Sequence, residues 1–305
     1  MNGWRTLVDA ETLAAQSPHA DLVVFDCRFA LADADAGQRA WREARIPGAR
    51  YAHLDRDLSD FASPHREGSG RHPWPRADVF VGWLARNGVG VRTQVVAYDA
   101  GDGAFAARLW ALLRALGHRD VAVLDGGWAR WCALDLPIEG GEPSDASVEI
   151  ASAKVPLSDA YSPSAATFDR LRLLDAAGVR DALSSGDVVI DARAAERFRG
   201  EVEPIDRVAG HVPGAINRPY AMNLENGRFK TPQALREEFE SLLGAGGPGF
   251  GSGPERAIAM CGSGVTACHH LLVMEHAGLA GAALYAGSWS GWIEDASRPI
   301  ATGDA

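Results

Sequence analysis

Short apolar runs alternate with longer amphipathic stretches along much of the chain. In the second half, three apolar runs predict buried strands: VVIDAR at 188–193, AIAMC at 257–261 and AALYAG at 282–287. Between them, TPQALREEFESLLG at 231–244 and VTACHHLLVMEHAG at 265–278 predict helices. This alternation is typical of a parallel sheet with helices on both faces. The predicted fold class is therefore α/β.

The pattern of the second half repeats that of the first. LVVFDCR at 22–28 returns as VVIDAR, IPGA at 46–49 returns as VPGA at 212–215, and LDGGWARW at 124–131 returns as YAGSWSGW at 285–292. The pairs Asp26 and Asp191, Pro47 and Pro213, and Trp128 and Trp289 lie 165, 166 and 161 positions apart. Landmarks in one order at nearly one spacing indicate two copies of a single fold rather than a solenoid of short repeats.

The domain boundaries follow from the repeat. We expect a first domain at 1–142, a linker at 143–164 and a second domain at 165–305. The linker is poor in large apolar residues and rich in Ser, Pro and Ala, as connecting segments are. A Gly-rich stretch at 244–255 predicts a surface loop, either a plain insertion or a lid.

Composition narrows the class of protein. A length of 305 residues fits two domains, and a hydrophobic fraction of 47% is that of an ordinary globular chain. The formal charge of -10 argues against a nucleic-acid partner, and four cysteines are too few for a disulfide scaffold. The cysteines also lack zinc-site spacing, and no apolar run has the length of a membrane span. We expect a cytoplasmic monomer that contacts neither nucleic acid nor membrane and binds no metal.

The candidate nucleophile is Cys261, which ends a predicted strand. Gly262 and Gly264 follow, and a helix is expected to begin near Val265 or Thr266. Backbone N–H groups and the positive end of a helix stabilise a thiolate, and the same cradle would hold an anion attached to the sulfur. The alternative is a buried core cysteine.

The other landmarks of the repeat suggest structural roles. Asp99 stands at the Cys261 position in the first copy, and since a carboxylate cannot serve as this nucleophile, the first domain is expected to be inactive. We expect Arg193 to form an ion pair with Asp191, and the paired tryptophans to pack in the core or between domains. Structural positions are also expected for the remaining cysteines: Cys27, Cys132 and Cys268.

Two reaction classes use a cysteine in such a cradle. Cysteine phosphatases need an Arg in the loop that grips the phosphate oxygens. The loop here, CGSGVTAC at 261–268, contains neither Arg nor Lys. Sulfur transfer through a persulfide needs only backbone donors, so the sequence favours sulfur transfer.

The chain resembles the tandem-domain rhodanese-family sulfurtransferases over essentially its whole length. The motifs that carry the resemblance are DCRF, IPGARY, GRHPWP at 70–75, DARAAERFRGEVEPID, GHVPGA, CGSGVTAC and AGSWSGW. The resemblance implies two rhodanese-like domains, each a parallel sheet flanked by helices, with an inactive N-terminal copy and a catalytic C-terminal one.

The resemblance also implies a set of site residues. The CGSGVTA loop of this chain is similar to that of the 3-mercaptopyruvate sulfurtransferases. Thiosulfate-preferring members of the family instead carry Arg-Lys at the positions that match Gly262 and Ser263. Arg197 is expected to bind the donor carboxylate. The second arginine of the family pattern follows Glu-Pro, but this chain has Ile205 there, so that contact is either missing or supplied by Arg207 or Arg199. The complete implied set is Cys261, Ser263, His72 and Asp55 for catalysis, and Arg197, Gly262, Gly264, Val265, Thr266 and Arg207 for donor binding.

The expected reaction moves a sulfur atom from 3-mercaptopyruvate, through a Cys261 persulfide, to a thiophilic acceptor. That acceptor is cyanide, a small thiol or a reduced thioredoxin-like protein, and no metal or organic cofactor is needed. Two alternatives stay open: a thiosulfate:cyanide sulfurtransferase, and a non-catalytic module that only carries or binds a persulfide. The sequence leaves the preferred donor and the physiological acceptor undecided.

Overall fold

A computed structural model describes residues 3–17, 19, 21–141, 155–156, 158–244 and 253–304. The chain forms two compact units: unit 1 comprises Met1–Asp60 and Pro75–Arg170, and unit 2 comprises Phe61–Trp74 and Leu171–Ala305. The segment Phe61–Trp74 therefore lies with the second copy, although it precedes the end of the first in sequence. Most of the expected linker and of the expected Gly-rich loop lies outside the described residues.

Unit 1 is built on a five-stranded parallel sheet. Its elements are β1 (Leu7–Val8), α1 (Ala10–Gln16), β2 (Leu22–Asp26), α2 (Ala36–Glu43), β3 (Arg50–Tyr51), α3 (Ala77–Arg86), β4 (Gln94–Tyr98), α4 (Ala106–Ala115), β5 (Val121–Leu124), α5 (Gly127–Ala133) and a 3-10 turn at Pro163–Ala165. The strand order is β1-β5-β4-β2-β3. All five residues of the central β4 are buried, as expected for a parallel strand covered on both faces.

Unit 2 repeats this topology. Its elements are β6 (Leu173–Leu174), α6 (Ala176–Ser184), β7 (Val188–Asp191), α7 (Ala195–Phe198), β8 (Ile216–Asn217), β9 (Leu224–Glu225), β10 (Arg228–Phe229), α8 (Pro232–Gly244), β11 (Ala257–Met260), α9 (Ala267–His276), β12 (Ala283–Tyr285) and α10 (Ser288–Trp292), with 3-10 turns at Tyr220–Asn223 and Pro254–Arg256. The parallel sheet has the order β6-β12-β11-β7-β8, and β9 and β10 form a separate antiparallel pair. The predicted α/β class and the internal repeat are confirmed.

A buried ion pair ends the second strand of each copy. In unit 2, Arg193 donates to both carboxylate oxygens of Asp191, and its guanidinium lies 4.9 Å from the ring centroid of Trp289. The corresponding residues of unit 1 are Asp26, Arg28 and Trp128. The expected pairing of Arg193 with Asp191 is confirmed. Because a buried charge that loses its partner typically costs about 3–5 kcal/mol, this pair fixes the strand end beside the candidate site.

Candidate active site

The thiol of Cys261 lies at the carboxyl end of β11 and is almost fully buried. Its Sγ accepts the backbone N–H of Gly264 at 3.2 Å. The loop is held from behind by α10, because Trp289 N–H donates to the Cys261 carbonyl at 3.0 Å and Ser290 N–H donates to the Gly262 carbonyl at 2.9 Å. The sulfur is therefore presented by a strand end and a loop that are both fixed by packed elements.

Gly264 requires the absence of a side chain. Its φ of +75° is in the left-handed region, and a Cβ there would lie 2.3 Å from the carbonyl oxygen of Ala286. The helix follows this turn, and α9 begins at Ala267, within one residue of the start expected near Val265 or Thr266. Thr266 is the N-cap residue, but its side chain makes no capping hydrogen bond. Val265 is buried beside the loop.

Ser288 was not identified from the sequence, although it lies inside the AGSWSGW motif. Its Oγ accepts the backbone N–H of Cys261 at 3.1 Å and donates to the carbonyl of Tyr285 at 2.9 Å. Its φ of +51° is unusual for a residue with a Cβ, and the matching residue of unit 1 is Gly127 with a φ of +50°. Such backbone strain costs about 1–3 kcal/mol. A Ser at a position that the other copy fills with Gly was the available signal.

His72 and Ser263 form a buried polar pair. The distance from His72 Nδ1 to Ser263 Oγ is 2.7 Å, and the imidazole tautomer decides which atom donates. The ring of Phe61 meets the imidazole edge-on, with 6.3 Å between the centroids. Two of the residues implied by the resemblance are therefore adjacent, and Ser263 lies two positions from the thiol.

The segment that carries His72 is anchored to α10 and to the residues after it. Gly68 and Gly70 donate their N–H groups to the Glu294 carboxylate at 2.6 and 3.2 Å. Arg71 N–H donates to Ser290 Oγ at 2.9 Å. A Cβ at Gly70 would lie 2.3 Å from the carbonyl oxygen of Gly287, so the two backbones are in close contact. These contacts explain why this segment belongs to unit 2.

Arg197 lies at the end of α7 and carries two carboxylate partners. Its guanidinium donates to Glu203 at 2.7 and 3.2 Å and to Asp206 at 3.2 Å. Burial raises the pKa of Glu203, but hydrogen bonds from Arg197 and from the N–H groups of Asp206 and Ile205 outweigh this, so the pKa lies below its ordinary value. Glu203 therefore stays charged and keeps the guanidinium in place.

A second guanidinium lies over the same loop, and it belongs to Arg71. A Cβ built on Gly262 would lie 3.2 Å from Nη2 of Arg71 and 3.6 Å from Nη2 of Arg197. Arg71 also forms an ion pair with Asp206. Arg71 is not among the site residues expected from the sequence, although it lies beside His72 in GRHPWP.

Arg207 and Arg199, the two arginines expected from the sequence as candidates for the second donor-binding position, have other partners. Arg207 donates to the carbonyl oxygens of Ile293, immediately after α10, and Glu294. Arg199 pairs with Glu201 at 2.8 Å on the surface. Asp55 belongs to unit 1, where its N–H donates to Nδ1 of His53 at 3.1 Å, so its catalytic role stays a prediction.

The other thiols differ from Cys261 in their surroundings. Cys27 is buried, and burial raises the pKa of its thiol well above the usual value, with nearby Asp26 acting in the same direction. Cys268 is buried in the first turn of α9 and donates to the carbonyl of Gly264 at 3.3 Å. Cys132 lies in α5 and is exposed, so it is not a core residue.

In unit 1 the equivalent cradle is filled by the chain itself. Asp99 follows β4, and its two oxygens accept four backbone N–H groups at 2.9–3.1 Å, from Gly101, Gly103, Phe105 and Ala106. The carboxylate thus occupies the place that Cys261 has in unit 2. Burial raises the pKa of Asp99 to about 6, and the charge of Asp102 acts in the same direction, while the N–H donors oppose it.

This raised pKa predicts a pH-dependent stability. The folded state holds the Asp99 proton up to a pH of about 6, whereas the unfolded chain releases it near 3.8. The contribution of Asp99 is therefore fully present below about pH 4 and is lost as the pH rises through 6, by about 2–3 kcal/mol. Urea unfolding of wild type and Asp99→Asn between pH 4 and 8 measures it as the difference between the two free energies of unfolding. A difference that stays constant across this range contradicts the assignment.

Comparisons with known proteins agree with this architecture. The rhodanese-like domain matches residues 9–134 and 175–295. A probable 3-mercaptopyruvate sulfurtransferase of Pseudomonas aeruginosa is 46% identical over 302 residues, which cover 98% of each chain. A putative thiosulfate sulfurtransferase of Mycobacterium tuberculosis is 35% identical and covers 99% of this chain and 98% of its own. The structure of 3-mercaptopyruvate sulfurtransferase from Leishmania major superposes with a TM-score of 0.76 at 28% identity, over 94% of this chain and 73% of that one.

The chain therefore belongs to the rhodanese family of sulfurtransferases. It contains two rhodanese-like domains, with a cysteine in the cradle of the second and an aspartate in that of the first. Among the described residues, no helix has the length and apolar character needed to cross a membrane.

Proposed function

We propose that this protein takes a sulfur atom from 3-mercaptopyruvate, holds it as a persulfide on Cys261 and passes it to a thiophilic acceptor. The observation that carries the proposal is the buried Cys261 thiol on the Gly264 N–H, beside a loop position bordered by the guanidinium groups of Arg71 and Arg197. A thiol nucleophile next to fixed cations suits a donor that bears both a sulfur and a carboxylate.

In the first half-reaction the Cys261 thiolate attacks the thiol sulfur of the donor. The S–S bond forms as the bond between sulfur and C3 of the donor breaks, and the electron pair of that bond leaves on the enolate of pyruvate. The proton lost from the donor thiol balances the one that the enolate takes up to give pyruvate. The Gly264 N–H then faces the sulfur that carries the persulfide.

The proton transfer that accompanies this step is assigned to the His72–Ser263 pair. The 2.7 Å contact lets the hydroxyl and the imidazole exchange a proton, and burial keeps bulk water from competing. In the second half-reaction the acceptor attacks the outer sulfur and the Cys261 thiolate leaves. The proposal also assigns Asp55 a supporting role, following the family resemblance.

The proposal extends to partners and location. The acceptor is a thiol, cyanide or a reduced thioredoxin-like protein, in a reducing cytoplasm where such thiols persist. The chain acts as a monomer. The family resemblance and the uncharged loop around Ser263 favour a monoanionic donor over the thiosulfate dianion.

The deciding measurement is the ratio of kcat/KM for 3-mercaptopyruvate to that for thiosulfate. We expect the ratio to exceed one by at least about tenfold, because the loop itself contains neither Arg nor Lys and the two neighbouring guanidiniums are expected to bind the carboxylate and keto oxygens of 3-mercaptopyruvate. A ratio below one favours a thiosulfate sulfurtransferase, a reading supported by the name of the Mycobacterium tuberculosis relative. No turnover with either donor indicates a non-catalytic persulfide carrier.

A further inference from the structure

We propose that Arg71 is the second donor-binding guanidinium of the active site and determines its preference for a carboxylate-bearing donor. This inference rests on the proposed function and goes beyond it, because it assigns donor selection to a residue of the Phe61–Trp74 segment rather than to the loop after Glu203-Pro204. Arg71 thereby supplies the positive charge that the family pattern places at position 205, where this chain has Ile205.

The first support is the position of the two guanidiniums. A Cβ on Gly262 would lie 3.2 Å from Nη2 of Arg71, and 3.6 and 3.7 Å from Nη2 and Nη1 of Arg197. Gly262 follows the nucleophile directly, so both cations lie against the loop one residue after Cys261. The missing side chain at Gly262 lets both guanidiniums approach the loop backbone closely.

The second support is the way the two cations are held together. Asp206 forms ion pairs with both Arg71 and Arg197, and its own side chain is only 4% exposed. One buried carboxylate thus screens the repulsion between two guanidiniums and fixes their spacing. Each guanidinium keeps further N–H groups that can point elsewhere, and two converging donors suit the two oxygens of a carboxylate or its neighbouring keto oxygen.

The third support is the unsatisfied hydrogen-bonding capacity of Arg71. Its Nε is buried and has no hydrogen-bond partner in the described part of the chain. Its side chain nevertheless remains 28% exposed, so a ligand can reach it.

The fourth support is the rigidity of the backbone that delivers Arg71. Its N–H is fixed to Ser290 Oγ at 2.9 Å, and the Gly70 N–H is fixed to Glu294 at 3.2 Å. The next residue, His72, contacts Ser263 of the nucleophile loop. The same segment therefore supplies a proton-transfer group and a cation, and a binding group needs this kind of fixed support to be selective.

The test compares Arg71→Met with Arg66→Met, a matched loss of an exposed arginine in the same segment. We expect Arg71→Met to lower kcat/KM for 3-mercaptopyruvate roughly 10- to 100-fold, as for the loss of a charge-assisted hydrogen bond, mainly through KM. Arg66→Met should match wild type. The dissociation constant of pyruvate, measured by calorimetry, should rise by a similar factor in Arg71→Met and reports binding without turnover.

A rescue experiment separates donor binding from a structural role. Arg71→Met combined with Ile205→Arg places an arginine where the family pattern has one, at a residue that is 41% exposed and free to carry a longer side chain. We expect it to regain most of the lost affinity for 3-mercaptopyruvate. Arg71→Lys keeps the ion pair with Asp206 but loses the planar fork, so we expect an intermediate KM. This variant decides the question if Arg71→Met does not fold.

The outcomes are distinguishable from a failure of the proposed function. A wild-type protein that does not turn over 3-mercaptopyruvate overturns the proposed function. An active wild type in which Arg71→Met and Arg71→Lys both keep the wild-type KM and pyruvate affinity overturns the role of Arg71. A loss in kcat alone, with no rescue by Ile205→Arg, also rejects it, because it shows that Arg71 only supports the loop.

Discussion

Cys261→Ser is expected to lose sulfur transfer completely. The hydroxyl of Ser is a far weaker nucleophile than a thiolate, and the loop offers it only the Gly264 N–H and the neighbouring His72–Ser263 pair. After incubation with 3-mercaptopyruvate, intact-protein mass spectrometry should show a gain of about 32 Da, the mass of one sulfur atom, on wild type and none on the variant.

Cys132→Ser provides the control, because Cys132 is an exposed thiol in unit 1. It should keep both the sulfur adduct and the rate of transfer. A sulfur adduct that persists on Cys261→Ser would place the nucleophile on another thiol and reject the assignment.

Gly264→Ala is expected to affect folding and activity together. The new Cβ would sit 2.3 Å from the backbone carbonyl of Ala286, and alanine is disfavoured at a φ of +75°. Since backbone atoms must move to relieve the contact, we expect a loss of about 2–4 kcal/mol in the free energy of unfolding. The Gly264 N–H then no longer points at Sγ, so kcat should fall by roughly 100-fold or more.

Gly262→Ala is the matched variant in the same loop. The three atoms nearest to its Cβ would be the ends of the flexible Arg71 and Arg197 side chains, at 3.2–3.7 Å. We expect the stability to change by less than about 1 kcal/mol, while KM for the donor rises because the space beside the cations is reduced. Thermal unfolding and steady-state kinetics on both variants check this contrast, and equal destabilisation by the two would refute it.

The fold could be predicted because its signals are local and repeated. The apolar run before Cys261 is a four-residue strand, and the helix expected at 231–244 is observed at Pro232–Gly244. α9 begins at Ala267, directly after an N-cap at Thr266 that already has helical dihedrals, so its start agrees with the expectation near Val265 or Thr266; the left-handed turn at Gly264 that precedes it was not expected. Hydrophobic periodicity does not report such a turn.

The missing site residues depend on tertiary contacts. Arg71 is separated from Asp206 by 135 positions, and its value as a cation at the site appears only when its segment packs on α10. Ser288 makes its contact to the Cys261 N–H through a backbone conformation that Ser rarely adopts, so its only mark in the sequence is that it replaces Gly127 of the first copy. His72 and Ser263 were found because the family pattern names them.

Asp99 in unit 1 is, in effect, a permanently attached ligand. Because its N–H donors lie only two to seven residues along the chain, Asp99 has a high effective concentration, and an anion from solution would have to displace it as well as bind. The two domains are therefore not two equivalent receptors with one switched off. The cradle of unit 1 is occupied by the carboxylate of Asp99, whereas the cradle of unit 2 must bind its anion from solution. Each chain should therefore load one equivalent of sulfur at saturation.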